Sequence, residues 1–179
     1  MDDDEVNQIA AIARIRNYDR KVFLINTGET EQYLNLIVKG LVRKFFNKGS
    51  SEIITQIARE GEFISSSVSF LTGKPSEYCV ETLEPCTFLS FSRHDIEKLY
   101  SISARFQQLG RIIITNLMLE KETWELDRIR YSTRERFARF LSENADLFNR
   151  VPQKFLASYL HIQPETFSRL KHTLRNPST

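Results

Sequence analysis

Cysteine, histidine and long apolar runs are all scarce in this sequence of 179 residues. The two cysteines, Cys79 and Cys86, are too few and too irregularly placed for a disulfide framework or a four-ligand metal site, so we expect buried free thiols. The three histidines, His94, His161 and His172, have no nucleophile or carboxylate at a telling spacing, and no phosphate-cradling Gly-x-x-x-x-Gly-Lys loop is present. These absences argue against an enzyme and predict neither a metal nor a cofactor.

No apolar run approaches the roughly 18 residues that cross a membrane. The acidic start MDDDE also lacks the basic and apolar regions of a secretory signal. We therefore expect a cytoplasmic protein without a membrane partner. The net charge of +2 is unevenly distributed, because the sequence from Glu125 onward has ten Lys and Arg against six Asp and Glu, a net charge of +4. This excess favours contact with phosphates at the C-terminal end.

Five of the six glycines divide the first half of the sequence at intervals of 12, 9, 12 and 12 residues. Short apolar and β-branched segments separated by glycine turns are typical of an all-β roll or barrel. A helix from about Asp4 to Arg14 is predicted before the roll. The predicted strands are Val22–Ile25, Tyr33–Val38, Leu41–Phe46, Ile53–Ile57, Tyr78–Leu83 and Thr87–Phe91.

The hydrophobic period changes after the roll. Ser92 and Asp95 resemble a capping pair, which predicts a short helix through Tyr100, and a long helix is predicted from about Ser103 to Arg130. This long helix is apolar on nearly every side and must be covered on two faces. One face can cover the roll, and the other meets either the same helix of a second subunit or the interior of the monomer. The predicted dimer interface comprises Phe106, Leu109, Ile113, Asn116 and Leu117.

Ser132 and Glu135 form a capping box that opens a further helix, with Phe137, Phe140 and Leu141 facing inward. The outward arginines of this helix are most simply a solvated face. The segment Asp146–Val151 is predicted to be a loop.

The run from Gln153 to His172 has the spacing of a helix-turn-helix. Ala157 is small enough for the helix crossing, and Pro164 and Glu165 suit a first helical turn. His161 stands in the turn, where glycine is usual because the backbone is left-handed. The residues predicted to lock the helices are Leu156, Leu160, Ile162, Phe167 and Leu170. The alternative is a surface hairpin of two helices without a partner.

The order of parts, a β-roll, a long helix and a helix-turn-helix, resembles the Crp/Fnr family of bacterial transcription regulators. Three stretches carry the likeness: Lys21 to Phe46, with its TGE turn and VKGLVR; Glu60 to Tyr100; and Val151 to Leu174. The resemblance implies an α+β fold whose first part is a cyclic-nucleotide-binding-like jelly roll. It implies a β-roll sensor domain at residues 1–102, a dimerisation helix at 103–130 and a DNA-binding domain at 131–179.

The resemblance also implies double-stranded DNA and a second copy of the chain as partners, with RNA polymerase as a further candidate. Glu165 and Arg169 occupy the family's base-reading positions, whereas Pro164 stands where relatives often have arginine. Few residues follow Leu174, so either the family's two-stranded wing is missing in this branch or this sequence stops short of it, and we expect Lys171 and Arg175 to supply some contact with the DNA backbone instead. The expected DNA-binding residues are Gln153, Lys154, Gln163, Glu165, Thr166, Arg169, Lys171 and Arg175.

Members of the family that bind a cyclic nucleotide hold it with a Gly-Glu pair and, about ten residues later, an Arg-Ser or Arg-Thr pair. The matching places here are Ser65, Ser66, Ser76 and Glu77, which lack both the carboxylate and the guanidinium. We therefore expect no useful affinity for cyclic AMP or cyclic GMP. These four residues and Ser67 could hold another polar effector, although an exposed loop is the simpler account.

Other sensor chemistries of the family fit no better, because an iron–sulfur cluster needs more cysteines and a haem needs suitably placed axial ligands. His94 is expected to face solvent or to cap a helix. The main alternative to a DNA-binding regulator is an effector-binding or protein-interaction module whose helical end docks a protein, and an enzyme is the weakest interpretation.

Overall fold

The computed structural model describes the backbone of residues 2–175 and the side chains of residues 2–173. The chain divides into two compact units, Met1–Gly110 and Arg111–Thr179. A long helix, α4 (Ala104–Arg130), passes from the first unit into the second. Predicted from about Ser103 to Arg130, this helix is confirmed almost to the residue.

The first unit is a β-roll built from two sheets of four strands each. One sheet has the strand order β1-β8-β3-β6 and the other β2-β7-β4-β5, and every pair is antiparallel. The elements in chain order are α1 (Asp3–Ile12), β1 (Arg14–Tyr18), β2 (Phe23–Ile25), β3 (Tyr33–Lys39), β4 (Val42–Lys48), β5 (Ser51–Ala58), β6 (Phe63–Ile64), α2 (Ser67–Thr72), β7 (Cys79–Thr82), β8 (Cys86–Ser92) and α3 (Arg93–Ile102).

The two sheets enclose one apolar core. It is formed where strand alternation turns β-branched and aromatic side chains inward, and its most completely buried members are Ile37, Val42, Ile64, Val80 and Phe88. A glycine is needed at position 40 between β3 and β4. Its φ is +103°, and a Cβ there would lie 2.7 Å from the carbonyl oxygen of Pro85. A side chain would be strained and would clash.

All six predicted strands are confirmed, with ends shifted by up to two residues, and so is the α+β class. Both cysteines are buried free thiols, as predicted. Helix α1 ends at Ile12 rather than near Arg14, because the chain enters β1 there. The sequence prediction missed β1, β6 and α2. Ser92 caps α3 by accepting from the amide of Asp95 at 3.1 Å, which confirms the predicted helix start.

Four short helices follow α4 in the second unit: α5 (Thr133–Glu143), α6 (Ala145–Arg150), α7 (Gln153–Tyr159) and α8 (Pro164–Arg175). The predicted capping box at the start of α5 is confirmed: the side chain of Ser132 accepts from the amide of Glu135, and the side chain of Glu135 accepts from the amide of Ser132. The prediction of a loop at Asp146–Val151 is wrong, because α6 occupies most of that segment. It forms where Leu147 and Phe148 turn into the core, and this burial outweighs its short length.

An aromatic cluster holds the second unit together. Phe137 lies 5.0 Å from Phe167 and 5.5 Å from Phe148 between ring centroids, both edge to face. Phe148 also stacks on Phe167 at 5.8 Å. Phe140 continues the cluster towards Tyr159, at 5.8 Å. The cluster therefore joins α5, α6, α7 and α8 through a few large side chains.

Candidate nucleic-acid interface and effector site

Helices α7 and α8 are joined by a tight turn, in which two backbone hydrogen bonds cap the C-terminal end of α7. The amide of Ile162 donates to the carbonyl of Ala157 at 2.9 Å, and the amide of His161 donates to that of Ser158 at 3.1 Å. These are the two bonds of a Schellman motif, which requires a left-handed residue between them. His161 has a φ of 55°, so histidine takes the place expected of glycine. The chain therefore turns sharply enough for α8 to return across α7.

The inner residues of this helix pair are placed as predicted. Ala157, Leu156, Leu160, Ile162 and Phe167 are all buried, whereas Leu170 is half-buried. Pro164 is the first residue of α8, where its missing N–H costs nothing. The two helices are therefore locked by their apolar faces, and their polar faces remain outside.

The residues predicted to contact DNA lie mainly on this outer face. Glu165 and Arg169 are exposed and four positions apart on α8, so they lie on one side of the helix. Thr166 and Lys171 are half-buried. Gln153, Lys154 and Gln163 are exposed at the starts of the two helices. Arg175 ends α8, but its side chain lies outside the described residues.

The sequence prediction missed the joint between α4 and α5. The guanidinium of Arg136 donates to the carbonyl oxygens of Arg128 and Tyr131, at 3.1 and 3.0 Å. Arg136 therefore caps the C-terminal end of α4 instead of belonging only to a solvated face.

The imidazole of His161 in the turn between α7 and α8 has a lowered pKa. Its causes are partial burial and the positive charges of Arg128 and Arg136. Neutral imidazole is favoured in the turn as a result.

The contact between Trp124 on α4 and the C-terminal end of α7 was also missed. The indole of Trp124 stacks on the ring of Tyr159 at 4.5 Å with an interplanar angle of 12°. A lone tryptophan in an apolar helix shows no signal in the sequence, because its partner is 35 residues away. This stack gives α7 a fixed contact with α4 inside the second unit.

Three of the five predicted effector residues are buried instead of lying in an exposed loop. Ser65, Ser66 and Ser76 are buried, whereas Ser67 and Glu77 are exposed. The hydroxyl oxygens of Ser66 and Ser76 lie 2.7 Å apart. The prediction of a solvent-exposed loop is therefore wrong for the three buried serines, of which Ser66 and Ser76 bond through their hydroxyls and Ser76 also bonds to the carbonyl of Tyr78. We call residues 65–77 the serine segment.

Lys44 lies beside the serine segment and was given no role from the sequence. Its ammonium donates to the carbonyl oxygen of Ser65 at 3.3 Å and lies 5.7 Å from the ring centroid of Tyr78. Phe46 meets Tyr78 edge to face at 6.1 Å. A shallow cleft lined by Phe46, Asn47, Glu77 and Tyr78 opens there. Because side chains alternate along a strand and Phe45 is buried, Lys44 and Phe46 both lie on the opposite face of β4 from Phe45.

Residues 15–103 match the cyclic nucleotide-binding domain family. The fold is similar to that of FixK2 from Bradyrhizobium japonicum, with 19% identity and a TM-score of 0.78 over 93% of this chain and 86% of that one. This chain has the Crp/Fnr fold. Its fold is also similar to the c-di-GMP responsive global regulator CLP of Xanthomonas campestris, with 17% identity and a TM-score of 0.75 over 98% and 93% of the two chains. The fold is similar as well to that of the Thermus thermophilus catabolite activator protein, with 21% identity and a TM-score of 0.52 over 99% of this chain and 85% of that one. No curated protein sequence matches significantly.

The predicted dimer interface lies on α4, so the exposure of each side of this helix tests that prediction. Phe106, which the dimer prediction included, is 4% exposed and already buried inside its own protomer. It is therefore removed from the predicted interface. Leu109, Ile113 and Leu117 are half-buried and Asn116 is exposed. The exposed apolar residues lie on the other side of the helix and are Ile112, Ile114, Met118, Leu119, Leu126 and Ile129.

Neither a membrane span nor a metal cluster is found among residues 2–175. Within that range no helix is both long and apolar enough to cross a bilayer. Over the same range, no three His, Cys, Asp or Glu side chains converge as metal ligands would. His94 is exposed at the start of α3, as predicted.

Proposed function

We propose that this chain is a homodimeric, sequence-specific DNA-binding transcription regulator of the Crp/Fnr type. The observation that carries the proposal is the α7–α8 pair, whose apolar faces are locked together while Glu165 and Arg169 stay exposed on one side of α8. A helix that packs one apolar face on its own domain and exposes a polar face can enter the DNA major groove. The similarity in fold to a global regulator supports the same conclusion.

In the proposed complex, the α8 helices of two protomers enter successive major grooves of a near-palindromic site. Half-sites would then lie about 10 base pairs apart. Arg169 can donate two hydrogen bonds to guanine O6 and N7, and Glu165 can accept one from cytosine N4. We therefore expect a G·C pair in each half-site. Gln153 and Lys154 would contact phosphates at the start of α7 and position the unit without reading bases. RNA polymerase stays a proposed further partner.

Arg169→Ala should weaken binding to the selected DNA site by about 1–3 kcal/mol and relax the preference at one base pair, because a bidentate guanine contact is lost. The site would first be selected from a random DNA pool, and affinities then measured by fluorescence anisotropy on specific and random duplexes. Equal losses on both duplexes would contradict a base-reading role for Arg169.

Lys154→Ala is the matched control, since it also removes one exposed cation. It should weaken specific and random DNA alike and reduce the slope of log affinity against log salt by about one. If binding of the wild type to random duplex shows no salt dependence, the result would favour the alternative in which the helical end docks a protein partner.

We also propose that the regulator does not respond to cyclic AMP. Ser66 and Ser76 replace the carboxylate and the guanidinium that relatives use, and their hydroxyls are already bonded to each other at 2.7 Å. Losing a phosphate-pairing arginine costs several kcal/mol of binding. Titration calorimetry with cyclic AMP or cyclic GMP should therefore give no heat of binding. A dissociation constant in the micromolar range would refute this proposal.

A further inference from the structure

The serine segment is bonded to a buried carboxylate from elsewhere in the chain. Glu31, in the turn between β2 and β3, is only 5% exposed. Its Oε2 accepts from the amide of Ser66 at 3.2 Å, and its Oε1 accepts from the amide of Tyr33 at 3.1 Å. Its own amide donates to the hydroxyl of Ser69 at 2.9 Å. Glu31 therefore holds two points of the serine segment.

The rest of the segment is connected to the same turn. The hydroxyl of Ser69 donates to the carbonyl oxygen of Lys74 at 2.5 Å, and the amide of Ser76 donates to the carbonyl of Glu29 at 2.7 Å. The hydroxyl of Ser76 in turn lies against that of Ser66. Hydrogen bonds thus connect both ends of the segment to residues 29–31.

A buried carboxylate needs compensation for the hydration that it loses. Part of it comes from the backbone amides of Tyr33, Ser66 and Gln32. A further part comes from Arg16 on β1, whose positive charge acts on Glu31 and whose guanidinium lies 4.3 Å from the ring centroid of Tyr33. Burial still raises the pKa of Glu31, since desolvation outweighs these stabilising contacts. An ordinary packing position is better filled by an apolar residue, so the charge calls for a separate explanation.

We propose that Glu31 is an internal anionic ligand of the serine segment, which takes up the amide donor of Ser66 and holds the segment closed without an external effector. The inference rests on the proposed function only in treating this segment as the effector site of a regulator. An incoming phosphate ester or carboxylate would find the donor occupied and would meet a like charge. The segment therefore has neither the family's ligand-binding side chains nor an amide at Ser66 that is available to bind an anion.

The test is hydrogen exchange of the full-length protein, which reports local opening of each segment. In Glu31→Ala, amide protection at Tyr33 and across residues 66–76 should fall by about tenfold or more, while protection in the rest of β3 and in β4 stays unchanged. Sodium acetate should restore that protection when compared with sodium chloride at equal ionic strength, because acetate supplies the missing carboxylate. The same acetate should not alter the wild type.

Two further variants keep the test decisive. Glu31→Gln has nearly the same shape and guards against a folding defect of the alanine variant; it should lose protection in the same residues but gain none with acetate. Glu29→Gln is the matched control, because the Glu29 carboxylate is exposed and caps only Asn26, at 2.7 Å. Unchanged protection in both Glu31 variants, a loss spread over the whole roll, or failure of acetate to act on Glu31→Ala would each overturn the proposal. No DNA is needed, so failure of DNA binding would not affect this result.

Discussion

Phe167→Ala should destabilise the second unit by about 3–5 kcal/mol, the usual cost of truncating a buried phenylalanine. The side chain is 1% exposed and packs between Phe137 and Phe148 in the aromatic cluster. Since a domain of this size is stable by only about 5–15 kcal/mol, the change removes a large part of that margin. DNA binding should fail with it, because Phe167 is the residue that fixes α8 to the core.

Fluorescence provides a direct measurement, because the chain has one tryptophan and Trp124 stacks on Tyr159 within the second unit. Urea unfolding followed at Trp124 should show a lower midpoint for Phe167→Ala. Phe23→Ala is the control, since Phe23 is a partly exposed aromatic of the first unit. It should leave the Trp124 transition in place. An unchanged midpoint for Phe167→Ala would show that the aromatic cluster does not hold α8.

Strand and helix positions in this protein follow largely from apolar periodicity, and the exceptions have identifiable causes. Strand β1 has the sequence RIRNY, whose polar residues do not alternate with apolar ones, and it forms because it pairs with β8 through residues 14–18. Helices α2 and α6 have six residues each. Helices of that length gain little from local propensity and depend on tertiary packing, which a periodicity argument does not register.

Long-range polar pairing was beyond reach for a different reason. The resemblance to the family singled out Ser66 and Ser76, but nothing in the sequence shows that their hydroxyls lie within hydrogen-bonding distance or that Glu31 bonds to the same segment. Arg43 and Glu81 are a parallel case, because both are buried and their side chains pair at 2.6 Å across β4 and β7. Each partner alone is a charged residue in a strand, and only the register of the sheet brings them together.

Of the residues predicted to form the dimer interface, Phe106 is excluded by its burial, and the sequence did not reveal this because apolar residues lie on several sides of α4. A stripe repeating every seven residues can be drawn through Phe106 and Ile113 or through Ile112, Leu119 and Leu126. Periodicity alone does not distinguish the face that packs on the protomer from the one that meets a partner. Phe106 is buried within the chain whereas the second stripe is exposed, so we propose the second stripe as the face that meets a partner.

Leu119→Glu should therefore convert the proposed dimer to a monomer. Leu119 is 58% exposed in the protomer and central in the stripe of Ile112, Leu119 and Leu126. Such a stripe, repeating at seven residues, is the pattern by which two helices pair. Across a two-fold axis, the substitution would bury two unpaired carboxylates in an apolar seam. Light scattering should show half the wild-type mass.

DNA affinity should fall with the loss of the dimer, because the second half-site then has to be bound by a separate molecule. Coupling two sites is worth about 10²–10⁴-fold in affinity, so specific binding should weaken by a factor in that range. Ile15→Glu is the control: Ile15 is an exposed apolar residue on β1, 71% exposed and outside the stripe, and its change should preserve both mass and affinity. A Leu119→Glu protein that stays dimeric would exclude this stripe as the subunit interface and return the prediction to the half-buried face around Ile113.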